Sequence, residues 1–231
     1  MRRHWPWILA FAVLLQACAK ESVVLTPAVI TVLTRANGVG LSSDPALLTP
    51  VLRVSSRLIA AARRSEPGTR ARDVCWVIVV YENAARLQGF VRPDGAIVLS
   101  AGALRLLESE AGLAALLGHE FGHALAGERA PVSSPCVSPA DLDGQPEPLF
   151  TYQEELQADE RGLRLTAEAG YDPAELLRLW ERLKEHDERT DGMLKHVMYD
   201  HRMEHIAQHL PDALLRYERA NRAPQKALSS R

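Results

Sequence analysis

Apolar positions recur with helical spacing along most of this chain, and two short sections near the middle are dense in strand-forming residues. A helix is predicted to begin at Asp44-Pro45, where a capping carboxylate precedes a proline in the first turn. Strands are predicted from Val74 to Tyr81 and from Ala96 to Leu99, with a turn at 92–95 leading into the second strand. The pattern favours a mainly helical α+β fold with a small sheet or hairpin. Further helices are predicted over residues 111–127, 152–168, 174–188 and 202–220.

Three sections lie outside this periodic pattern. Residues 18–43 are predicted to be a tether with a β-prone patch, Val23 to Leu33, to which no role is assigned. Residues 131–148 are rich in Pro, Ser, Asp and Gly, and such a loop is either a flap over a cleft or a surface insert. Residues 221–231 are a polar tail, so the folded domain is predicted to span 44–220.

The helix predicted at 111–127 is apolar on all sides except for three side chains, His119, Glu120 and His123. Positions i and i+4 share one helix face, so both imidazoles can reach a single ion with the carboxylate beside them. Burying ionisable groups is costly unless they are paired or bind a metal. The spacing is typical of zinc hydrolases, in which the carboxylate acts on a water. The alternative is a buried helix whose histidines are satisfied incidentally.

Small residues predict that this helix packs closely against another. Gly122 lies in the helix interior, where glycine costs roughly 1 kcal/mol relative to alanine, so helix stability does not explain it. We expect another backbone to approach there. In the helix predicted at 152–168, small Ala158 lies between Glu155 and Asp159, as close helix packing also requires.

A third ligand is expected from the helix at 152–168, because catalytic zinc sites commonly have three protein ligands. Glu155 and Asp159 are i and i+4 on one face of that helix. We interpret Glu155 as the ligand and Asp159 as the acceptor that orients a ligand histidine through its distal N–H. The alternative is a solvated acidic helix start, since carboxylates also suit the helix dipole.

These two segments resemble a known family. His119-Glu120-Phe121-Gly122-His123 followed by Glu155-Leu156-Gln157-Ala158-Asp159 is similar to the zinc metallopeptidases of the HtpX, BepA and CAAX-prenyl-protease kind. The resemblance covers residues from about 74 to 214. It implies a zincin-like catalytic domain with one Zn²⁺ per chain, held by His119, His123 and Glu155. It also implies endopeptidase activity with Glu120 as the general base.

A histidine in the C-terminal part of the chain is a further catalytic candidate. The family has a Thr-His-Pro motif followed by Arg-Ile, and the best register places His196 at the histidine and Arg202-Met203 at Arg-Ile. His201 is the competing candidate. The resemblance implies that such a histidine stands near the metal, as a transition-state donor or as a plug. The alternative is a surface histidine in a His-rich segment.

The same resemblance includes an edge strand that binds the substrate backbone in extended form, a general mode of peptide recognition. In this chain the corresponding strand is predicted to contain Ala96, Ile97, Val98 and Leu99.

The N-terminus has the form of a bacterial lipoprotein signal. Arg2 and Arg3 precede an apolar run from Trp5 to Leu15, which is shorter than the roughly 20 residues that span a membrane. Leu15-Gln16-Ala17-Cys18 resembles a lipoprotein cleavage site, which implies removal of residues 1–17 and acylation of Cys18. Ala19 favours the outer membrane over the inner membrane by the usual sorting pattern. An uncleaved anchor or a chance cysteine is the alternative.

Two further cysteines, Cys75 and Cys136, form an even pair. In an oxidising periplasm such a pair indicates a disulfide, and two free or buried thiols are the alternative.

Charge and composition limit the classes of molecule that this chain is expected to bind. The formal net charge is −2 and 24% of residues are charged, with no basic field or aromatic–basic pattern, which argues against nucleic acid as a partner. The expected function is a zinc endopeptidase, lipid-anchored on the periplasmic side, that cleaves misfolded envelope polypeptides such as unfolded outer-membrane proteins. The alternatives are a zinc-bound chaperone whose site is plugged and an amidase acting on cell-wall peptides.

Overall fold

The computed structural model describes residues 22–25, 30–33, 42–65, 76–82, 84, 87, 89–92, 96–126, 150–190 and 198–228 of the 231-residue chain. Within these ranges the helices are α1 (Pro45–Ser65), α2 (Ala101–Leu106), α3 (Glu110–Ala126), α4 (Tyr152–Glu168), α5 (Glu175–Thr190) and α6 (Tyr199–Leu228). The strands are β1 (Ser22–Leu25), β2 (Ile30–Leu33), β3 (Val77–Tyr81), β4 (Gly89–Val91) and β5 (Ile97–Ser100).

The predicted fold class, a mainly helical α+β domain of zincin-like type with a small sheet, is confirmed. Helix α1 begins where the sequence predicts, because the Asp44 carboxylate accepts a hydrogen bond from the backbone N–H of Ala46 at 2.9 Å. Helix α4 begins at a capping box in which the Thr151 and Glu154 side chains each accept from the other residue's backbone N–H. These local signals define both helix starts.

The sheet has the strand order β1-β2-β3-β5-β4. Strands β2, β3 and β5 are parallel, whereas β1 and β4 are antiparallel to their neighbours. The unassigned patch from Val23 to Leu33 therefore contributes a hairpin that extends the sheet.

The prediction that residues 96–100 form the edge strand is wrong. Strand β5 lies between β3 and β4 and pairs with both, and Ala96, Ile97, Val98 and Leu99 are buried. Strand β4 pairs antiparallel with β5 and so covers the edge that β5 would otherwise present. Strand β4 is the edge strand on this side, since no other described strand pairs with it.

The core lies between the sheet and the helices, with α3 at its centre. Nearly every residue of α3 is buried, and the Phe121 ring stacks on Trp76 with ring centroids 4.2 Å apart. Helix α3 also passes beside β4, where a Leu116 methyl would lie 3.2 Å from a side chain placed at Gly89. The helix that carries the candidate ligands is thus fixed from several sides.

The close approach predicted at Gly122 is confirmed. A Cβ atom at this position would lie 2.6 Å from the backbone oxygen of Ala158 and 2.9 Å from its Cα. Gly162 makes the reciprocal contact, because a Cβ there would lie 2.7 Å from the backbone nitrogen of His119. Glycines on both helices therefore allow α3 and α4 to pack backbone to backbone.

We expect Gly122→Ala to destabilise the protein by about 1–3 kcal/mol, because the added methyl meets a backbone that cannot rotate away. Urea denaturation measures the loss. Gly112→Ala is the matched control in the same helix, since its Cβ would lie 3.4 Å or more from flexible side-chain atoms. Equal stability of the two variants would contradict the close-packing interpretation.

Several predicted features lie outside the described residues. These are the signal segment with Cys18, both members of the Cys75 and Cys136 pair, the loop at 131–148, and His196. In the described part of the chain, no helix combines the length and the apolar character needed to cross a membrane.

Candidate metal centre

Helix α3 presents the two histidines of the motif into the protein interior. His119 is 5% exposed and His123 is 2% exposed, and their rings meet edge to face with centroids 4.8 Å apart. Glu120, between them in sequence, is 3% exposed. Such burial of three ionisable groups requires partners or a bound ion.

Helix α4 brings the Glu155 carboxylate to both rings. Its Oε2 atom lies 3.4 Å from Nε2 of His119 and 3.7 Å from Nε2 of His123. In a tetrahedral zinc site with bonds of 2.0–2.2 Å, neighbouring ligand atoms lie about 3.3–3.5 Å apart. The two nitrogens and the oxygen therefore have the chemistry and spacing of a three-ligand zinc site, and the structure brings together the three residues predicted as ligands.

The Asp159 carboxylate stands behind His119. Its Oδ1 atom is 3.0 Å from Nδ1 of His119, and the residue is fully buried. A carboxylate can only accept, so Nδ1 carries a proton, and Nε2 is the atom on the side facing Glu155 that a cation can bind in place of a proton. This is the placement that the sequence predicted for the residue that orients a ligand histidine.

Arg202 of α6 joins both carboxylates, a contact that the sequence analysis did not predict. Its guanidinium donates two hydrogen bonds of 2.7 Å to Asp159 and approaches Oε2 of Glu155 at 2.8 Å. The side chain is 2% exposed and stacks over the Trp180 ring at 3.9 Å. A two-pronged, buried contact of this kind fixes geometry more strongly than a point charge could.

The ionisable groups of the cluster shift one another's pKa values. Burial lowers the pKa of His119, but the hydrogen bonds with Asp159 and Glu155 outweigh it and raise the value to about 10. Burial lowers the pKa of His123 to about 4. Burial raises the pKa of Glu155, yet its contacts with both histidines bring the pKa well below its usual range. A cation entering the cluster therefore meets an ionised carboxylate and a neutral His123, and replaces a proton on His119.

Comparison with known proteins relates helix α3 and its two histidines to a known family. Residues 49–133, which include His119, Glu120 and His123, match the model of peptidase family M48. The chain carries an M48 domain. This is a family of zinc metallopeptidases, so the resemblance noted from the sequence is confirmed.

Three relatives are each named mitochondrial metalloendopeptidase OMA1. The protein of Schizosaccharomyces pombe is 28% identical over 191 residues, which are 73% of this chain and 54% of the relative. That of Saccharomyces cerevisiae is 27% identical over 173 residues, 63% of this chain and 50% of the relative. That of Arabidopsis thaliana is 33% identical over 128 residues, which are 48% of this chain and 26% of the relative. The chain thus spans about half or less of the length of these relatives.

A cavity lies beside the cluster. Glu120 lines it together with the candidate ligands, and β4 contributes Gly89 and Phe90. Phe150 stacks on His123 with ring centroids 3.6 Å apart. Most of the remaining lining is apolar: Leu87, Ala103, Leu106, Leu107, Leu116, Leu179, Trp180, Leu183 and Tyr199.

The structure does not place His201 at this cavity. His201 is exposed on α6, and its ring lies 6.5 Å from that of Tyr152. Successive helix positions differ by about 100° in direction, so a helix that turns Arg202 inward turns His201 away. His196, the other candidate, lies outside the described residues.

Three residues that contact the cluster were missed from the sequence: Phe150, Trp180 and Arg202. The Trp180 N–H donates to Asp159 at 3.2 Å, and the Trp180 ring meets His119 edge to face. A tryptophan on an apolar helix face is usually interpreted as a core residue. The sequence therefore did not indicate that the Trp180 N–H would donate to Asp159. The alignment of Arg202-Met203 with the Arg-Ile of the family was the one signal that could have identified the arginine.

Proposed function

We propose that this chain is a zinc-dependent endopeptidase. The observation that carries the proposal is that His119, His123 and Glu155 converge at zinc-ligand spacing while Glu120 lines the same cavity. The match to peptidase family M48 and the similarity to metalloendopeptidases support the same class of activity.

Each side chain of the site has a distinct task. When bound, zinc supplies a Lewis acid that polarises the scissile carbonyl and makes water acidic enough to attack at neutral pH. Glu120 accepts the proton of the attacking water and returns it to the departing amine. Asp159 holds His119 in its orientation, and Arg202 does the same for Glu155.

The substrate is an unfolded polypeptide that lies along β4 in an extended conformation. Among the described strands only β5 pairs with β4, and an edge strand of this kind can accept a peptide by strand addition. It lies close to the candidate base, since a side chain at Gly89 would be 3.5 Å from Oε1 of Glu120. The apolar cavity lining favours large apolar side chains next to the cleaved bond. Such side chains are accessible in unfolded proteins and buried in folded ones.

The test is to treat the purified protein with a chelator, restore Zn²⁺, and map the products formed from casein by mass spectrometry. We expect cleavage to fall to background without metal, to return when Zn²⁺ is restored, and to occur beside large apolar residues. Zinc binding without cleavage would favour a chaperone, and products from peptidoglycan alone would favour a cell-wall amidase.

The proposed location is the periplasmic face of the bacterial envelope, with unfolded outer-membrane proteins as the physiological substrates. The support is the lipoprotein-like signal at residues 1–17 followed by Cys18. The relatives are named as mitochondrial proteins, which describes those proteins only.

We expect the mature protein made in a bacterial host to begin at Cys18 and to carry fatty acyl groups. Intact mass measurement and fatty-acid labelling test this. Cys18→Ala is expected to abolish labelling, and an unprocessed N-terminus at Met1 in the wild-type protein would refute the lipoprotein assignment.

A further inference from the structure

A second cluster of metal-ligand residues lies between α4 and α6, apart from the M48 site. It consists of Glu160, His205 and His209, each of which offers one ligand atom within 4.8 Å of the others. The two histidines are one helical turn apart on α6, with ring centroids separated by 4.4 Å. None of the three belongs to the His119–His123–Glu155 cluster.

The ring of His209 is oriented for ligation. Its Nδ1 atom lies 2.9 Å from the backbone oxygen of His205. A carbonyl oxygen only accepts, so Nδ1 carries the proton and Nε2 presents a lone pair. Donation of the distal N–H to a backbone carbonyl is the arrangement that usually accompanies a metal-binding histidine.

The other two members also have an available ligand atom. The Nε2 atom of His205 is buried and has no hydrogen-bond partner among the residues that the structure describes. The Glu160 carboxylate is exposed on α4, so its oxygen atoms are accessible to a cation. A buried nitrogen without a partner is unusual in a protein interior, and a metal ion would satisfy it.

We propose that Glu160, His205 and His209 bind a divalent transition-metal cation, for which Zn²⁺ is the probe. Two imidazoles and one carboxylate suit zinc and its neighbours in the first transition series, and they do not suit Mg²⁺, which prefers oxygen ligands. The exposed Glu160 side chain can move toward the histidines, as the shorter ligand separations of a tetrahedral site require.

The bound cation links α4 to α6. Helix α4 carries Glu155 and Asp159, and α6 carries the Arg202 that pairs with both. A metal that joins Glu160 to the two histidines holds these helices in the arrangement that positions the first cluster. Metal binding at the second cluster does not require peptidase activity, since each cluster has its own ligands.

The experiment is a titration of the metal-free full chain with Zn²⁺ alone against a chromophoric chelator, with zinc per chain confirmed by elemental analysis. We expect two equivalents for the wild-type protein and one for His209→Ala. The double variant His119→Ala/His123→Ala is expected to keep one equivalent, and zinc is expected to raise its melting temperature. Adding His209→Ala to that double variant removes the remaining equivalent and the temperature shift. Mg²⁺ should produce neither effect.

Glu160→Gln and His186→Ala are the companion variants. Glu160 is exposed, so its replacement by glutamine leaves the fold intact and is expected to weaken the second equivalent at least tenfold. His186→Ala removes a histidine outside the cluster and should retain both equivalents. A wild-type stoichiometry of one, or two equivalents retained in His209→Ala, would overturn the proposal. Loss of zinc only in the His119 and His123 variants would show that the first site alone binds metal.

Discussion

Replacing Glu120 with glutamine is expected to lower the rate of casein cleavage by about 10²–10⁴-fold, the usual contribution of a general base. The amide has the same size as the carboxylate but cannot accept the proton of the attacking water. Because Glu120 is not one of the three candidate ligands, zinc content is expected to remain near that of the wild-type protein. The measurements are the rate of product formation and the zinc content of the same preparation.

Glu108→Gln is the matched control, since this glutamate is exposed with 80% of its side chain accessible. It should cleave casein at the wild-type rate. His119→Ala distinguishes a metal ligand from the general base, because it is expected to lower both zinc content and activity. Wild-type turnover by Glu120→Gln would show that the base lies elsewhere, and unchanged zinc in His119→Ala would dismiss the metal site.

The candidate site could be predicted where its residues follow helix periodicity. The spacing of His119 and His123, the apolar flanks, and the position of Gly122 all describe one helix, and local geometry then determines which side chains share a face. The same holds for Glu155 and Asp159 on α4. The starts of α1 and α4 could also be predicted, because capping side chains bond to backbone groups only a few residues away.

Features that depend on contacts between distant segments could not be predicted in this way. The sequence shows that Ala96 to Leu99 forms a strand, but the order of strands depends on pairings across the sheet, which place β4 outside β5. Likewise, α6 has histidines and charged residues on several faces. The direction in which α6 faces the cluster, with Arg202 inside and His201 outside, depends on its packing against α4 and α5.

Arg202→Met is expected to destabilise the protein by about 3–5 kcal/mol, because it leaves the buried carboxylate of Asp159 without its main partner. For a domain of this size the corresponding fall in melting temperature is roughly 6–20 °C. Both proteins should be compared by urea and thermal denaturation in the presence of a chelator, so that zinc binding makes no contribution. Arg178→Met, which removes an exposed ion-paired arginine, should change stability far less.

The pH dependence separates this electrostatic effect from a simple loss of packing. Burial raises the pKa of Asp159, but Arg202 and His119 outweigh it, so the pKa lies below its ordinary value. A carboxyl with a depressed pKa stabilises the folded state above the pKa of the unfolded chain, and that contribution is lost as pH falls through the folded value. The difference in stability between wild type and Arg202→Met should therefore be largest near neutral pH and should narrow in acid.

The double variant Arg202→Met/Asp159→Leu tests whether the two residues stabilise the protein as a pair. If Arg202 acts mainly by compensating the buried charge of Asp159, removing both should be less destabilising than the sum of the single changes. Arg202→Lys should lie between wild type and Arg202→Met, since lysine retains the charge but cannot contact both carboxylates through a planar fork. Additive losses that do not vary with pH would instead assign Arg202 a packing role against Trp180.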